Sequence, residues 1–452
     1  MKINPYIFRQ YDIRGVVGED LDEDFARRLG QAFGTYSLKN NETSVIVGCD
    51  NRISSPSLKK AVTEGLLSTG CNVVDIGTVV TPIFYYARIH FNINPGIMVT
   101  ASHNPAQFNG FKVAFGPGTI YGDEIQNLRI MMEKGDFMSG QGSLTYKDPA
   151  EDYIDMICEK IHLSKKLRVG IDCGNGTASL FAEKLFRRLG VDVYPLYCES
   201  EPKFPNHFPD PVKPENLTDL KELVLREKLD LGIGFDGDGD RIGVVDDKGN
   251  IIYGDMLMIL YWREIMPKYP GAVAIIEVKC SQALVDEVKK LGGTSIFYKT
   301  GHSLIKAKMR EIGAIFTGEM SGHMFFADEY YGFDDAFYAA ARLLRILSNT
   351  DKKLSELLAD VPKYYSTPEI RVPCPDEEKL GKVEAVKNFF KDKYPIIDVD
   401  GARVIFPDGW GLVRSSNTGP ELIVRCEAKT PEGLEKIKKE IQEALAPLKV
   451  FE

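Results

Sequence analysis

The chain has 452 residues, of which 44% are hydrophobic and 27% charged, with 41 glycines, 24 prolines and a formal net charge of -9. At roughly 150 residues per domain this is about three domains, and the ordinary glycine, proline and apolar content excludes a disordered, collagenous or coiled-coil chain. The acidic balance argues against nucleic-acid or anionic-membrane partners but leaves room for a small anionic substrate held by local Arg and Lys. The apolar runs IIYGDMLMILYW and GAVAIIEV stop short of the ~20 residues that span a bilayer, and the start MKINPYIFRQYDIRG lacks a basic segment followed by an apolar signal core. After YDIRG, the segment DEDFARRLGQAFGTYS is spaced as a helix and SVIVGCD as a strand. A capped helix, SSPSLKKAVTEGLLSTG, and a second strand, CNVVDIG, follow.

Strand and helix alternate here with short connections, which predicts parallel pairing through helical crossovers. The same order returns in LRVGIDCGNGTASLFAEKLFRRLGVDVYPLYC and again from AVAIIEVKC to AIFTGE. From about residue 365 the pattern changes to strands around ARVIFPD and WGLVRSS and a closing amphipathic helix, the mark of a smaller α+β domain. The expected fold class is therefore α/β: three similar α/β domains with mixed sheets (1–147, 148–249, 250–364), then an α+β domain (365–452). Eight cysteines without a CxxC pair are expected to be free thiols of a reducing cytoplasm, where the protein is expected to reside.

Four loops carry candidate chemistry. TASHNP follows the strand-like GIMV and places Ser102 and His103 at a strand end; an exposed nucleophile, a phosphate carrier and a capping serine in a polar turn are all compatible with it. DGDGDR follows LDLGIGF, and its glycines let Asp236, Asp238 and Asp240 face one hard cation, with Arg241 beside them. All-oxygen donors favour Mg²⁺ over zinc. A calcium loop is a poor match, since position twelve is Asp247 and flanking helices are missing. A bare solvated turn would leave three aspartates repelling one another.

GEMSGH supplies Glu319 and Ser321, which can bind vicinal hydroxyls, and the imidazole of His323; alone it reads equally well as a surface loop. The upstream KTGHS adds Lys299 and His302. RSSNTGP offers Arg414, Ser416, Asn417 and Thr418, donors suited to a phosphate dianion, although an ordinary turn has the same composition. Arg9, Tyr11, Arg14 and Lys112 add polar and cationic support. The first three loops follow apparent strands of α/β units, where ligands bind, and the domains are expected to converge on a central active-site cleft. No GxxxxGK[ST] loop occurs and DCGNGTAS has the wrong spacing for a dinucleotide fingerprint. The combination describes phosphoryl transfer without ATP.

TASHNP, DGDGDR, GEMSGH and RSSNTGP, in this order, resemble the active-serine, metal, sugar and phosphate loops of the α-D-phosphohexomutase superfamily. KTGHSLIK and GFDDAFYAAARLL look most like its bacterial phosphomannomutase/phosphoglucomutase branch, and the resemblance extends from YDIRG to the terminal helix. It implies an intramolecular phosphotransferase that interconverts hexose 1- and 6-phosphates of mannose or glucose. The phosphate would pass through phosphorylated Ser102 and a hexose 1,6-bisphosphate, both intermediate and activator, that reorients within the cleft. It further implies Mg²⁺ held by Asp236, Asp238, Asp240 and the Ser102 phosphate. Glu319, Ser321 and His302 would lie on the sugar, with Arg414, Ser416, Asn417, Thr418, Tyr11 and Lys299 at the phosphate. Lys112 and His323 would transfer protons, with Arg14 and Arg241 as charge partners. Gly419 departs from the larger or polar residue of many relatives and bears on substrate preference. A monomer and a homodimer are both compatible. Phosphoglucosamine mutase is the alternative within the family, although its loop resembles a glutamine-containing variant of GEMSGH. A haloacid-dehalogenase-like phosphatase would need an aspartate nucleophile at LGIGFDGDGD.

Overall fold

A computed structural model describes residues 3–417 and 419–451. The chain forms two compact units: one runs up to Gly254 and includes Ser321–Leu357, and the other comprises Asp255–Met320 and the chain from Leu358 onward.

The first unit contains two mixed sheets. In the first, the strands are ordered Ile13–Val16, Phe108–Phe115, Gly96–Val99, Ser44–Cys49, Asn72–Thr78 and Leu144–Tyr146, with Gly118–Thr119 paired to Phe108–Phe115. Ser44–Cys49 runs parallel to both Asn72–Thr78 and Gly96–Val99, whereas Phe108–Phe115 returns antiparallel to Gly96–Val99. The helices follow from the sequence periodicity. Glu23–Lys39 starts at Asp22, whose side chain accepts from Phe25 N, and buries Phe25, Leu29 and Phe33. It crosses Ser55–Ser68 where both helices carry glycine: a Cβ on Gly65 would lie 2.0 Å from Arg27 O, and one on Gly30 2.3 Å from Val62 O. Leu58, Val62 and Leu66 of that second helix join the same core.

The second sheet is ordered Ile251–Ile252, Ile242–Asp246, Leu231–Phe235, Arg168–Asp172 and Asp192–Leu196. Its last three strands are parallel, and Ile242–Asp246 pairs antiparallel with Leu231–Phe235. DGDGDR is thus the tight connection between two antiparallel neighbours. Helix Ala336–Ser348 packs against this part of the unit, with Phe337 stacked on Phe235 at 4.7 Å between ring centroids.

In the second unit, Val273–Glu277 lies between Thr294–Tyr298 and Phe316–Gly318, parallel to both. The terminal part is an antiparallel sheet in which Glu421–Ala428, Gly409–Ser415, Ala402–Phe406 and Ile396–Ile397 succeed one another, with Tyr365–Ser366 and Ile370–Pro373 on the outer side of Glu421–Ala428. Helices Asp376–Phe390 and Pro431–Leu445 cover it over a core of Val386, Phe390, Val404, Val424, Ile437 and Ile441. The α/β organisation with mixed sheets and a terminal antiparallel sheet is the one expected from the sequence. Among the described residues no helix is long and apolar enough to cross a membrane.

Candidate active site

In the first unit the chemistry gathers around Ser102, which leaves the strand Gly96–Val99 in the left-handed region, at a φ of +52°. Its backbone is fixed from both sides: Ser102 N donates to Thr100 Oγ1 at 2.9 Å, and Ser102 O accepts from Arg52 Nη2 at 2.7 Å. Arg52 is fully buried and also donates to Asn104 O, Pro105 O and Phe108 O, while its Nε pairs with Asp50 at 3.1 Å. Burial pushes its guanidinium down from the ordinary arginine value despite Asp50 and Asp238. Sequence reasoning did not single out Arg52. The signal available was its place just after the strand Ser44–Cys49, in GCDNR.

The Ser102 hydroxyl donates to Asp236 Oδ2 at 2.7 Å and lies 3.1 Å from His103 Nδ1. Asp236, Asp238 and Asp240 are all fully buried, and one carboxylate oxygen from each falls within 4.8 Å of the others. Gly237 allows this: a Cβ there would sit 2.4 Å from Ser102 O, so the aspartate loop rests on the serine loop backbone. Asp236 Oδ1 accepts from Asp240 N and Arg241 N, each at 3.0 Å. Asp238 Oδ2 accepts from Thr81 Oγ1 at 2.7 Å and Thr100 Oγ1 at 3.2 Å.

Lys112, also buried, forms ion pairs with Asp238 at 2.9 Å and with Asp240. Burial alone would lower its ammonium, but Asp238 and Asp240 outweigh this and hold it well above the ordinary lysine value. Asp238 shows the complement: burial raises it, Lys112 lowers it, and the result is below the usual carboxylate range. For Asp236, burial followed by repulsion from Asp240 and Asp238 pushes the carboxyl well up. Lys112 balances part of the charge of the three buried carboxylates. Asp238 Oδ1 and Asp240 Oδ1 have no hydrogen-bond partner among the described residues. Such atoms, all oxygen, fit a hard divalent cation.

Two further cations border this ring. Arg14 pairs with Asp12 at 2.6 Å and donates to Asn104 Oδ1 at 2.7 Å; burial lowers its guanidinium, but Asp12 and Tyr11 more than offset this. Arg241 Nε donates to His323 Nε2 at 3.0 Å, so a neutral His323 carries its proton on Nδ1. That nitrogen lies 3.3 Å from Asp334 Oδ2 and 3.6 Å from Asp240 Oδ1. Asp240, His323 and Asp334 form a second group of metal-type ligands sharing Asp240. Tyr11, buried, and Arg9 lie in the turn before Ile13–Val16. Ser321 is half-buried in the loop leading to Met324–Phe326.

In the second unit, Glu319 is buried and accepts from Gly301 N at 2.8 Å. His302, also buried, opens the helix His302–Ile312, whereas Lys299 is exposed at the end of Thr294–Tyr298. The phosphate-type loop is joined to the KTG turn: Arg414 Nε donates to Asp400 Oδ2 at 2.9 Å, Thr300 N donates to the same oxygen at 3.0 Å, and Asn417 Nδ2 donates to Thr300 O at 3.1 Å. Ser416 Oγ accepts from Gly419 N at 3.1 Å, and Lys379 Nζ holds Ser416 O and Gly419 O at 2.8 and 2.9 Å. Thr418 lies outside the described residues. A buried lysine that sequence reasoning passed over, Lys279, pairs with Glu369 at 2.9 Å and interacts electrostatically with Arg414. Asp400 and Lys379 were likewise passed over, because neither lies inside a recognisable motif.

Four family models match consecutive stretches. They describe phosphoglucomutase/phosphomannomutase alpha/beta/alpha domain I over residues 5–138, domain II over 151–249, domain III over 253–365, and the C-terminal domain over 369–444. A phosphomannomutase/phosphoglucomutase of Pseudomonas aeruginosa is 46% identical over 433 residues, 96% of this chain and 94% of that protein. A phosphoglucomutase of Neisseria gonorrhoeae is 43% identical over 436 residues, 95% of each. The crystal structure of a phosphoglucomutase/phosphomannomutase family protein from Burkholderia thailandensis superposes with a TM-score of 0.94 at 40% identity, covering 99% of this chain and 100% of that one. The fold is therefore that of the phosphoryl-transferring sugar mutases. The chain belongs to the α-D-phosphohexomutase superfamily, in its phosphomannomutase/phosphoglucomutase branch.

Proposed function

We propose that this chain interconverts hexose 1-phosphate and hexose 6-phosphate, with both mannose and glucose phosphates as substrates, through phosphorylated Ser102 and a hexose 1,6-bisphosphate. The observation that carries the reading is the Ser102 hydroxyl seated 2.7 Å from Asp236 in a ring of buried aspartates bordered by Lys112, Arg14 and Arg241. A phosphoryl group on Ser102 would meet cationic groups suited to its equatorial oxygens. Asp236, Asp238 and Asp240 would hold Mg²⁺. When bound, the ion supplies charge neutralisation and polarises the phosphorus.

In the first half-reaction a sugar hydroxyl loses a proton as Ser102 Oγ gains one, and in the second the direction reverses. We assign this proton traffic to Lys112 and His323, whose side-chain nitrogens lie beside the aspartate ring. Lys112 starts protonated and can give before it takes. Arg241 Nε orients the His323 ring through Nε2, and Asp334 Oδ2 lies 3.3 Å from Nδ1. Glu319, Ser321 and His302 would recognise the sugar, and Arg414, Ser416 and Asn417 the phosphate that does not react, with Lys279 as a further cation beside Arg414. With Glu319 and Ser321 on the sugar O3 and O4, the C2 configuration would go unread, which is why mannose and glucose are both expected. The Pseudomonas relative carries both activities in its name.

The test is turnover of mannose 1-phosphate, glucose 1-phosphate and glucosamine 1-phosphate, each with Mg²⁺ and trace glucose 1,6-bisphosphate. Comparable mannose and glucose rates support the assignment. Preference for the glucosamine phosphate would move it to phosphoglucosamine mutase, and phosphate release without isomerisation would sink it.

A further inference from the structure

Outside the catalytic groups, two thiols meet at one end of the second sheet of the first unit. Cys173 follows the strand Arg168–Asp172, and Cys198 follows its parallel neighbour Asp192–Leu196, with Asp172 opposite Leu196 in the register. The ladder continues one step further, Cys173 N donating to Leu196 O at 3.2 Å. Tyr197, at a φ of +49°, then turns the chain so that Cys198 Sγ lies 3.3 Å from Cys173 Sγ and 3.4 Å from both Ile171 O and Leu196 O. Both cysteines are free; Cys173 is fully buried and Cys198 partly exposed. A modest approach of the sulfurs, to about 2.05 Å, would bond them.

The pair is also wired to the catalytic loops. The turn after Cys173 reaches the aspartate loop, Thr177 N donating to Gly237 O at 3.0 Å. Asn51 N donates to Thr177 Oγ1 at 3.0 Å, and Asn51 Nδ2 to Asn175 O at 2.9 Å. Asn51 directly precedes Arg52, which holds Ser102 O. A tether at Cys173 therefore pulls on a turn that touches both the aspartate loop and the support of the serine loop.

We infer that Cys173 and Cys198 form an oxidation site, closed to a disulfide by a hydroperoxide and reopened by a dithiol, and that closure lowers the turnover of the enzyme. With hydrogen peroxide, the Cys198 thiolate attacks one oxygen, the O–O bond breaks, Cys198 becomes a sulfenic acid, and the departing hydroxide takes up the proton released by the Cys198 thiol and leaves as one water. The Cys173 sulfur then attacks the sulfenyl sulfur, the S–O bond breaks, and the departing hydroxide leaves with the Cys173 proton as a second water. Two thiols lose two electrons and one peroxide gains them. Burial, reinforced by Cys198, pushes the Cys173 thiol well up, which leaves the first attack to the more exposed partner and the resolving step to Cys173.

The test treats the full-length protein with hydrogen peroxide, with Mg²⁺ withheld until assay, and digests a portion without reduction. Mass spectrometry is expected to find the Cys173 and Cys198 peptides joined and two hydrogens lighter than their sum. Glucose 1-phosphate turnover should fall at least about tenfold in step and return with dithiothreitol. Cys198→Ser is expected to retain the reduced enzyme's turnover and resist peroxide. Cys173→Ser should stop at a Cys198 sulfenic acid trapped by dimedone, which separates chemistry at the pair from loss of folding. Separate overoxidised cysteines without a joined peptide would overturn the site, and a joined peptide with unchanged turnover would overturn its coupling to the reaction. The peptide readout is independent of which substrate the enzyme turns over.

Discussion

Ser102 is held in a conformation that costs a residue with a side chain on the order of 1–3 kcal/mol. The strain is sustained because Thr100, Arg52 and the Gly237 backbone determine where the loop runs. Arg52 contributes most contacts, gathering four carbonyls and Asp50 around one guanidinium. Arg52→Ala leaves Asp50 buried without its cation and is expected to destabilise the fold by about 3–5 kcal/mol, read as a lowered thermal midpoint. Arg52→Lys keeps the charge but not the planar fork. It is expected to fold and to lose about 10²-fold in kcat through displacement of Ser102; wild-type kcat in a folded Arg52→Lys would show that the loop holds itself. Ser102 and the aspartates were legible because each motif is contiguous and chemically unusual. Arg52, Lys279, Lys379 and Asp400 were not, since their partners are brought to them by the fold: Arg52 and Ser102 are fifty positions apart.

The elements that aim these residues are two hairpin-like returns, Gly96–Val99 to Phe108–Phe115 and Leu231–Phe235 to Ile242–Asp246. Period and length identify the strands, and strand–helix alternation suggests parallel pairing. The antiparallel returns arise where the connecting loops are too short for a helical crossover. Because the aspartate connection rests directly on Ser102 O, Gly237→Ala must separate the two loops. Turnover is expected to fall about 10²-fold while the circular dichroism spectrum is retained, and an unchanged rate would contradict the packing.

In the second unit, Glu369 enters the strand Ile370–Pro373 beside Lys279. Burial would raise its carboxyl, but Lys279 and Arg371 lower it from 4.5 to about 2. The folded state therefore favours the charged form. The resulting stabilisation is complete above about pH 4.5 and is lost as pH falls toward 2. Relative to Glu369→Gln, the wild type is expected to be more stable near neutrality by on the order of 2 kcal/mol. The difference in thermal midpoint should close across that acid window, and a difference that stays constant through it would contradict the pairing.

Over the whole molecule, the matches to the four domain models run from residue 5 to residue 444 with short gaps, and each domain supplies one of the loops that stood out in the sequence. The first unit contains Ser102, the three aspartates, Lys112 and His323, and the second contains Glu319, Arg414, Ser416 and Asn417. A mutase returns the phosphate to the sugar, whereas a hydrolase passes it to water. The distinction rests on where phosphate resides between half-reactions. The most direct measurement is rapid-quench transfer of label from phosphate-labelled glucose 1,6-bisphosphate to the wild-type enzyme and to Ser102→Ala. Acid-stable label on Ser102 that chases into glucose 1- or 6-phosphate, with none on the variant, is the expected result. Base-labile label on Asp236, or label released as inorganic phosphate, would contradict the assignment of this chain as a phosphoserine mutase.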